Sequence, residues 1–233
     1  MANSRTFSDV RNVILSAHKN TDTQDKVGFY DTWAENYDQD VAMLDYRAPL
    51  LAARCVSSFY KGDREKITVL DVACGTGLVS AHLKKMGFQH FVGVDGSLGM
   101  LELAKKTGLY EQFKQCLLGQ DSLPVEAAYE IVIIVGALSV GQVPLTVIRE
   151  MWEATKPGGY VCMTTRGNAD NLEYKVELEK MIKTLEEEDK WRRVTVVEVE
   201  EWERAVSQQD DGYIPGTIYL YQKTVLNALH EYI

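Results

Sequence analysis

The sequence is short of basic charge, of cysteine and of long apolar runs, and each shortage removes a class of function. Its 25 Lys and Arg are outnumbered by 34 Asp and Glu, a net charge of −9 in 233 residues. A broad nucleic-acid surface needs clustered cations to neutralise phosphates, and an anionic lipid surface needs them too. Neither nucleic acid nor membrane is therefore an expected partner. Four cysteines (Cys55, Cys74, Cys116, Cys162) lie far apart, with no paired spacing for zinc or a redox dithiol. The histidines (His18, His82, His90, His230) show no metal-ligand spacing either, so no metal is expected. The longest apolar run, over 131–138, is far too short for a membrane span. Arg5, Asp9, Arg11, His18 and Lys19 interrupt the first twenty residues, which leaves no signal-peptide core. The expected setting is the cytoplasm, with the nucleus left open.

What is present suits a folded chain with a sizeable core: 45% of residues are apolar and 25% charged. The length fits one domain over 1–233, in three parts. Residues 1–62 read as a helical cap, because Val10, Val13, Ile14 and Ala17 share a helical face, as do Phe29, Trp33 and Tyr37. From 63 to 166 short β-rich runs alternate with helices. Strands are expected over 67–72, 90–95, 113–118, 130–136 and 160–165, and helices over 77–86, 97–106 and 143–155. A turn over 156–159 precedes the fifth strand. The fourth run, Glu130-Ile131-Val132-Ile133-Ile134-Val135-Gly136, is apolar on both faces, as a central parallel strand requires. This βαβα order calls for a doubly wound α/β sheet. Residues 167–233 read as a charged helix over 171–190, an edge strand over 192–200 and a hairpin partner over 218–221.

Between the first strand and its helix stands Asp71-Val72-Ala73-Cys74-Gly75-Thr76-Gly77. Glycines at such a turn let the backbone approach a ligand and adopt positive φ, and a doubly wound sheet binds its ligand outside the carboxyl ends of these strands. Asp95 ends the second strand, placed to accept from the two hydroxyls of a ribose. A dinucleotide site offers a similar turn and acid. Two residues argue otherwise. Ser80 stands where a dinucleotide fingerprint wants Gly or Ala. Asp71, at the strand's end, would repel a pyrophosphate and attract an ammonium or sulfonium group. S-adenosylmethionine carries both cations and no phosphate.

The turn Asp71–Gly77, with Gly93-Val94-Asp95-Gly96-Ser97 ending the next strand, resembles the class I S-adenosylmethionine-dependent methyltransferases. Gln120-Asp121-Ser122-Leu123-Pro124 and Lys156-Pro157-Gly158-Gly159 agree in order. Tyr30-Asp31-Thr32-Trp33-Ala34, Asp45-Tyr46-Arg47-Ala48-Pro49 and Val135-Gly136-Ala137-Leu138-Ser139 are similar, more closely, to the methyltransferase-like proteins encoded in the Williams–Beuren syndrome chromosomal region.

The resemblance implies a Rossmann-like fold, with a mostly parallel seven-stranded sheet, an antiparallel C-terminal strand and the helical cap. It implies S-adenosylmethionine as cofactor and S-adenosylhomocysteine as product, with a small-molecule or protein acceptor. The cofactor-binding residues it implies are Asp71, Ala73, Gly75 and Gly77 of the turn, Asp95 and Gly96, Gln120 and Asp121 for adenine, and Gly136 at the methionine end. Tyr37 serves either as a lid over the cofactor or as core with Trp33. Arg47 pairs either the methionine carboxylate or a surface acid. No Asn/Asp-Pro-Pro-aromatic motif follows the fourth strand, which removes the DNA-base and glutamine-amide methylation of its bearers. No general base is identifiable; Asp45, Tyr46 and Tyr174 are the places to look. A chain that binds the cofactor but serves as a silent partner of another protein is the alternative.

Overall fold

In a computed structural model, which describes residues 5–17, 23–123, 128–206 and 212–225, the strands form one seven-stranded sheet. Its order is β3-β2-β1-β4-β5-β7-β6. The first five are parallel: β1 (Thr68–Val72), β2 (His90–Asp95), β3 (Gln112–Gln115), β4 (Tyr129–Leu138) and β5 (Thr155–Arg166). The last two, β6 (Trp191–Arg204) and β7 (Tyr213–Lys223), form a hairpin whose β7 runs antiparallel to β5. The doubly wound, mostly parallel sheet with an antiparallel end is as expected.

Strand alternation explains the two covered faces. Leu70, Val72, Val92, Val94, Val132, Ile134, Val161 and Met163 point to one side. They meet α6 (Val147–Ala154) and α7 (Leu172–Glu187) through Ile148, Met151, Leu178 and Ile182. Val69, Phe91, Ile131, Ile133 and Leu220 point to the other, against Ala52 and Val56 of α3 (Ala48–Phe59) and Leu83 of α4 (Leu78–Lys85). Two-sided burial is why β4 reads as a continuous apolar run. The four cysteines are buried thiols.

Several boundaries differ from the sequence expectation. β3 ends at Gln115 because Gln120 N and Asp121 N both donate to Leu117 O, closing a tight turn where 116–118 was expected to extend the strand. α6 starts at Val147, four residues late, after a turn around Pro144. The 156–159 segment is absorbed into β5, since Thr155 already pairs with Tyr129 before a register shift. β6 and β7 are longer than read. Pro124 of the 120–124 run lies outside the described residues.

A third cluster forms the cap. Val10 and Ile14 of α1 (Phe7–Ala17) pack on Trp33 and Leu44, the former on α2 (Thr23–Met43). Trp33 Nε1 donates to fully buried Asp40 at 2.7 Å, and Arg5 pairs with the same carboxylate at 2.9 Å. α2 lies across the carboxyl ends of β1 and β2. Asp31 accepts there from Ser97 Oγ (2.5 Å) and Gly99 N (2.9 Å) at the start of α5 (Leu98–Lys106). Asp38 accepts from Thr76 Oγ1 at 2.5 Å. A Cβ at Gly99 would stand 3.0 Å from both Cα and O of Asp31, so a larger residue there would press the two helices apart by a few tenths of an ångström.

The hairpin depends on a similar close approach. A Cβ at Gly216 would lie 2.2 Å from Cδ2 of Trp202, an indole only 1% exposed. Gly216→Ala is expected to cost about 2–3 kcal/mol by overpacking. In a chain of this size that lowers the thermal midpoint by roughly 4–12 °C, measurable by calorimetry. An unchanged midpoint would show that the ring is free to move.

Candidate functional site

The order of the sheet reverses between β1 and β4, and ligands of such sheets bind in the crevice above that point. A cavity of ≈ 130 Å³ opens there. The turn after β1 builds one wall. Its backbone passes through positive φ at Ala73 (53°), Gly75 (55°) and Gly77 (98°), a path that glycine takes without strain and that leaves Ala73 and Gly75 on the cavity wall. Asp95 holds this conformation: its Oδ2 accepts from Gly75 N at 2.8 Å and its Oδ1 from Ser97 N at 2.9 Å. Each oxygen keeps a second lone-pair direction. Burial pushes the Asp95 carboxyl above the usual carboxylate range, against the backbone bonds that lower it.

Of the residues singled out from sequence, Tyr37, Ala73, Gly75, Asp95, Gly96 and Gly136 line this cavity together. Asp71 stands behind the turn, fully enclosed, where Ser80 Oγ and Tyr110 OH each donate to its Oδ2 at 2.7 Å. Ser80, which departs from the dinucleotide pattern, is thus the residue that holds Asp71. Asp71 lines a smaller third cavity with Tyr37, Tyr46, Ala73 and Gly75. Gly77 carries the bend into α4 and packs under Tyr110.

Three expected residues stand elsewhere. Arg47 bonds Asp45 Oδ2 at 2.7 Å and Glu201 Oε2 at 2.9 Å, with its guanidinium over the Tyr213 ring, and lines none of the three cavities. Of the two alternatives for Arg47, the surface acids are the ones observed. Gln120 and Asp121 are exposed, and Asp121 Oδ2 accepts from Leu117 N at 2.8 Å, which holds its own loop. Cys116, Leu117 and Leu118 line the cavity in their stead, because the early end of β3 turns them inward. Lys26, Tyr30 and Gln142 also line the cavity, although none of them was among the residues expected to bind the cofactor. Lys26 lines the cavity nearly buried, and burial lowers its pKa. Tyr30 OH donates to Gln142 Oε1 at 3.2 Å across the cavity mouth. Tyr30 lies one turn before Trp33 and belongs to the same aromatic set of α2.

A second cavity of ≈ 70 Å³ adjoins the first, sharing Tyr30, Tyr37, Gly136 and Gln142 as walls. Trp33 faces it from the cap core, so Trp33 is core while Tyr37 stands against all three cavities. Gly136 makes the junction. Its φ is 80°, its N donates to Thr164 Oγ1 at 3.0 Å, and β4 leaves its ladder with β5 between Ile134 and Leu138. Among the candidate bases, Asp45 is committed to Arg47 and Tyr213, and Tyr174 OH donates to Val143 O. Tyr46 does line the second cavity. Among the described residues no cluster of His, Cys, Asp and Glu could hold a metal, and no helix is long and apolar enough to cross a membrane.

Asp71 gives the site a pH signature. Burial raises its carboxyl to about 6, well above the 3.8 of a free aspartate. A raised carboxyl contributes most stability below the unfolded value and loses it as pH climbs through about 6. Relative to Asp71→Asn, the native chain is therefore expected to lose on the order of 2–3 kcal/mol between about pH 4 and pH 8. Denaturant titrations at the two pH values check this. Parallel behaviour of the two proteins would contradict it.

Residues 69–159 match the family model described as "Methyltransferase domain". The chain is 50% identical over 184 residues to Methyltransferase-like protein 27 of Homo sapiens, spanning 78% of this chain and 75% of that one. It is 26% identical over 140 residues to malonyl-[acyl-carrier protein] O-methyltransferase of Priestia megaterium, covering 60% and 50%. Its fold is similar to the crystal structure of a TehB-like S-adenosylmethionine-dependent methyltransferase from Corynebacterium glutamicum. There the TM-score is 0.57 at 13% identity, over 84% of this chain and 99% of that one. On the half-identical relative, matched over three quarters of its length, the chain belongs to the S-adenosylmethionine-dependent methyltransferases, among the Williams–Beuren region methyltransferase-like proteins.

Proposed function

We propose that the first cavity binds S-adenosylmethionine and that its methyl group passes to an acceptor in the adjoining space. The observation that carries this reading is Asp95. Its carboxylate is fixed by two backbone N–H groups on a cavity wall, with lone pairs left for a ribose diol. The rest of the lining fits the same molecule. Gly75 and Gly96 allow close approach, Leu117, Leu118 and Met100 offer apolar surface for a base, and one lysine is too little charge for a pyrophosphate.

When bound, S-adenosylmethionine supplies an electrophilic methyl carbon on a sulfonium. The protein's part is positioning: Asp95 fixes the ribose, the Gly75 region fixes the chain beyond it, and Tyr37 closes the site from α2. Asp71, held behind the turn by Ser80 and Tyr110, adds negative potential near a cationic ligand. Holding two reactants in line can supply about 7–11 kcal/mol of barrier reduction without covalent help. α2, latched by Asp31 and Asp38, shields the site from water. The proposed setting is the cytoplasm, with a small-molecule or protein acceptor.

The test is twofold. Calorimetric titration is expected to show binding of both S-adenosylmethionine and S-adenosylhomocysteine. Incubation with the tritiated methyl donor and fractionated extract is expected to label small-molecule or protein fractions. Absence of binding at millimolar ligand would end the reading; label in nucleic acid alone would reverse the acceptor class.

A further inference from the structure

The second cavity carries chemistry that cofactor binding does not use. It is walled by aromatic groups (Tyr30, Tyr37, Tyr46 and Trp202 among them) and by one carboxylate, Glu203, and one guanidinium, Arg166. We infer that this chamber holds the methyl acceptor, that the acceptor is a small hydroxyl-bearing molecule, and that Glu203 takes the hydroxyl proton. The inference rests on the methyltransferase reading above.

Position comes first. The chamber meets the first cavity at Gly136, Tyr37 and Gln142, so a molecule in it reaches the methionine end of that cavity without crossing bulk solvent. At ≈ 70 Å³, with walls from α1, α2, β4, β5 and β6, it suits a small organic group.

Glu203 is held there by long-range backbone bonds on both sides. Arg47 N donates to Trp202 O at 3.1 Å, and Arg204 N donates to Leu44 O at 2.8 Å. These bonds fold the end of β6 onto the α2–α3 connection, where the β6–β7 register shifts between Val199 and Glu203.

Charge chooses oxygen over nitrogen. An ammonium group entering the chamber would meet the Arg166 guanidinium as well as Glu203 and be repelled by the former, whereas a neutral hydroxyl is not repelled. The groups facing Glu203 are Arg166 from β5, Tyr30 and Tyr37 from α2 and Tyr46 from the α2–α3 connection. On its own strand, Glu201 pairs with Arg47 and Arg204 is exposed. The three tyrosines are pushed above their usual range by burial, Tyr30 to about 12, so they stay neutral donors. Burial raises the Glu203 carboxyl above the usual carboxylate range and Arg166 offsets part of that rise, which makes it a stronger base than an exposed carboxylate.

The step balances. The acceptor O–H breaks and its proton passes to a Glu203 Oε as the oxygen bonds the methyl carbon; the C–S electron pair leaves with sulfur. Glu203 then returns the proton to water.

The test uses the full chain saturated with S-adenosylhomocysteine, and phenol and benzylammonium as paired probes. Trp33 and Trp202 line the chamber, so tryptophan emission reports entry. Phenol is expected to quench saturably, less so in Trp33→Phe, and benzylammonium to bind more weakly. Because phenol donates to ionised Glu203, its affinity is expected to rise about tenfold as pH climbs through the raised range of that carboxyl. In Glu203→Gln that rise should vanish while S-adenosylhomocysteine still binds, which separates Glu203 from the carboxylates of the neighbouring cavity. Failure of S-adenosylhomocysteine to bind would overturn the underlying reading and this inference with it. If it binds and phenol does not, the chamber assignment falls. Tighter benzylammonium binding would overturn the oxygen acceptor, and a pH dependence surviving in Glu203→Gln would overturn the role of that residue.

Discussion

Asp95→Ala is expected to weaken S-adenosylhomocysteine binding by roughly 10²–10³-fold, about 3–4 kcal/mol. The substitution acts twice. It removes a charged acceptor facing the proposed ribose site, where each such hydrogen bond contributes about 1.5–3 kcal/mol. It also strands Gly75 N and Ser97 N, whose bonds of 2.8 and 2.9 Å keep the turn in its positive-φ path. Asp95→Asn tells the two apart. An amide oxygen can still accept from one of the backbone groups, so a milder loss, about tenfold, is expected from the charge alone. Calorimetry on the three proteins checks the order, with thermal midpoints showing that each remains folded. Native-like affinity in Asp95→Ala would mean that the carboxylate serves the turn and not the ligand.

Gly136→Ala is expected to be nearly as severe, but on turnover and stability together. At φ 80° an L-residue is strained whatever the space, by about 1–2 kcal/mol. The added methyl would also fall 2.1 Å from the hydroxyl of Tyr46, at the junction of the two cavities. Relief by moving Tyr46 would reshape the chamber. We expect a fall in thermal midpoint of roughly 4–8 °C for about 2 kcal/mol and a loss of methyl transfer of about a hundredfold, the cost of a small misplacement of reactants. Tyr46→Phe in the same chain removes the clashing oxygen and should recover part of both losses, a coupling expected only of residues in contact. Simple addition of the two effects would place the defect in backbone strain alone.

The parts of this architecture visible in the residues are the parts built by neighbours in sequence. Strand, turn and helix around Asp71–Gly77 are specified within about a dozen residues. The alternation of Val69, Leu70, Ile131 and Val132 between faces follows from the pleat. Asp95 was legible because the end of a strand is fixed by the strand. Gln120 and Asp121 show the converse: a single turn at Leu117 ended β3 early, leaving these two exposed and Cys116–Leu118 on the cavity wall.

Arg47 shows the limit in one residue. Its position beside Tyr46 allowed a ligand role, but its partners are Asp45, Glu201 and Tyr213, two of them more than 150 positions away and joined to it only once β6 and β7 fold back. The same fold-back delivers Glu203 to a chamber whose other walls come from α1, α2, β4 and β5. No spacing or period links Ile14, Tyr46, Arg166 and Glu203.

The sequence by itself therefore determined the fold class, the glycine turn with Asp71 and Asp95, and the family, because strand and turn chemistry is short-range. Only the tertiary structure decided which cations and carboxylates face the cavities, that Ser80 and Tyr110 hold Asp71, and that a second chamber adjoins the first at Gly136. Those contacts join different elements, from nine positions apart for Ser80 and Asp71 to well over a hundred for Arg47 and Glu201, and are fixed by packing and bonds between elements that leave no periodic trace in the order of residues.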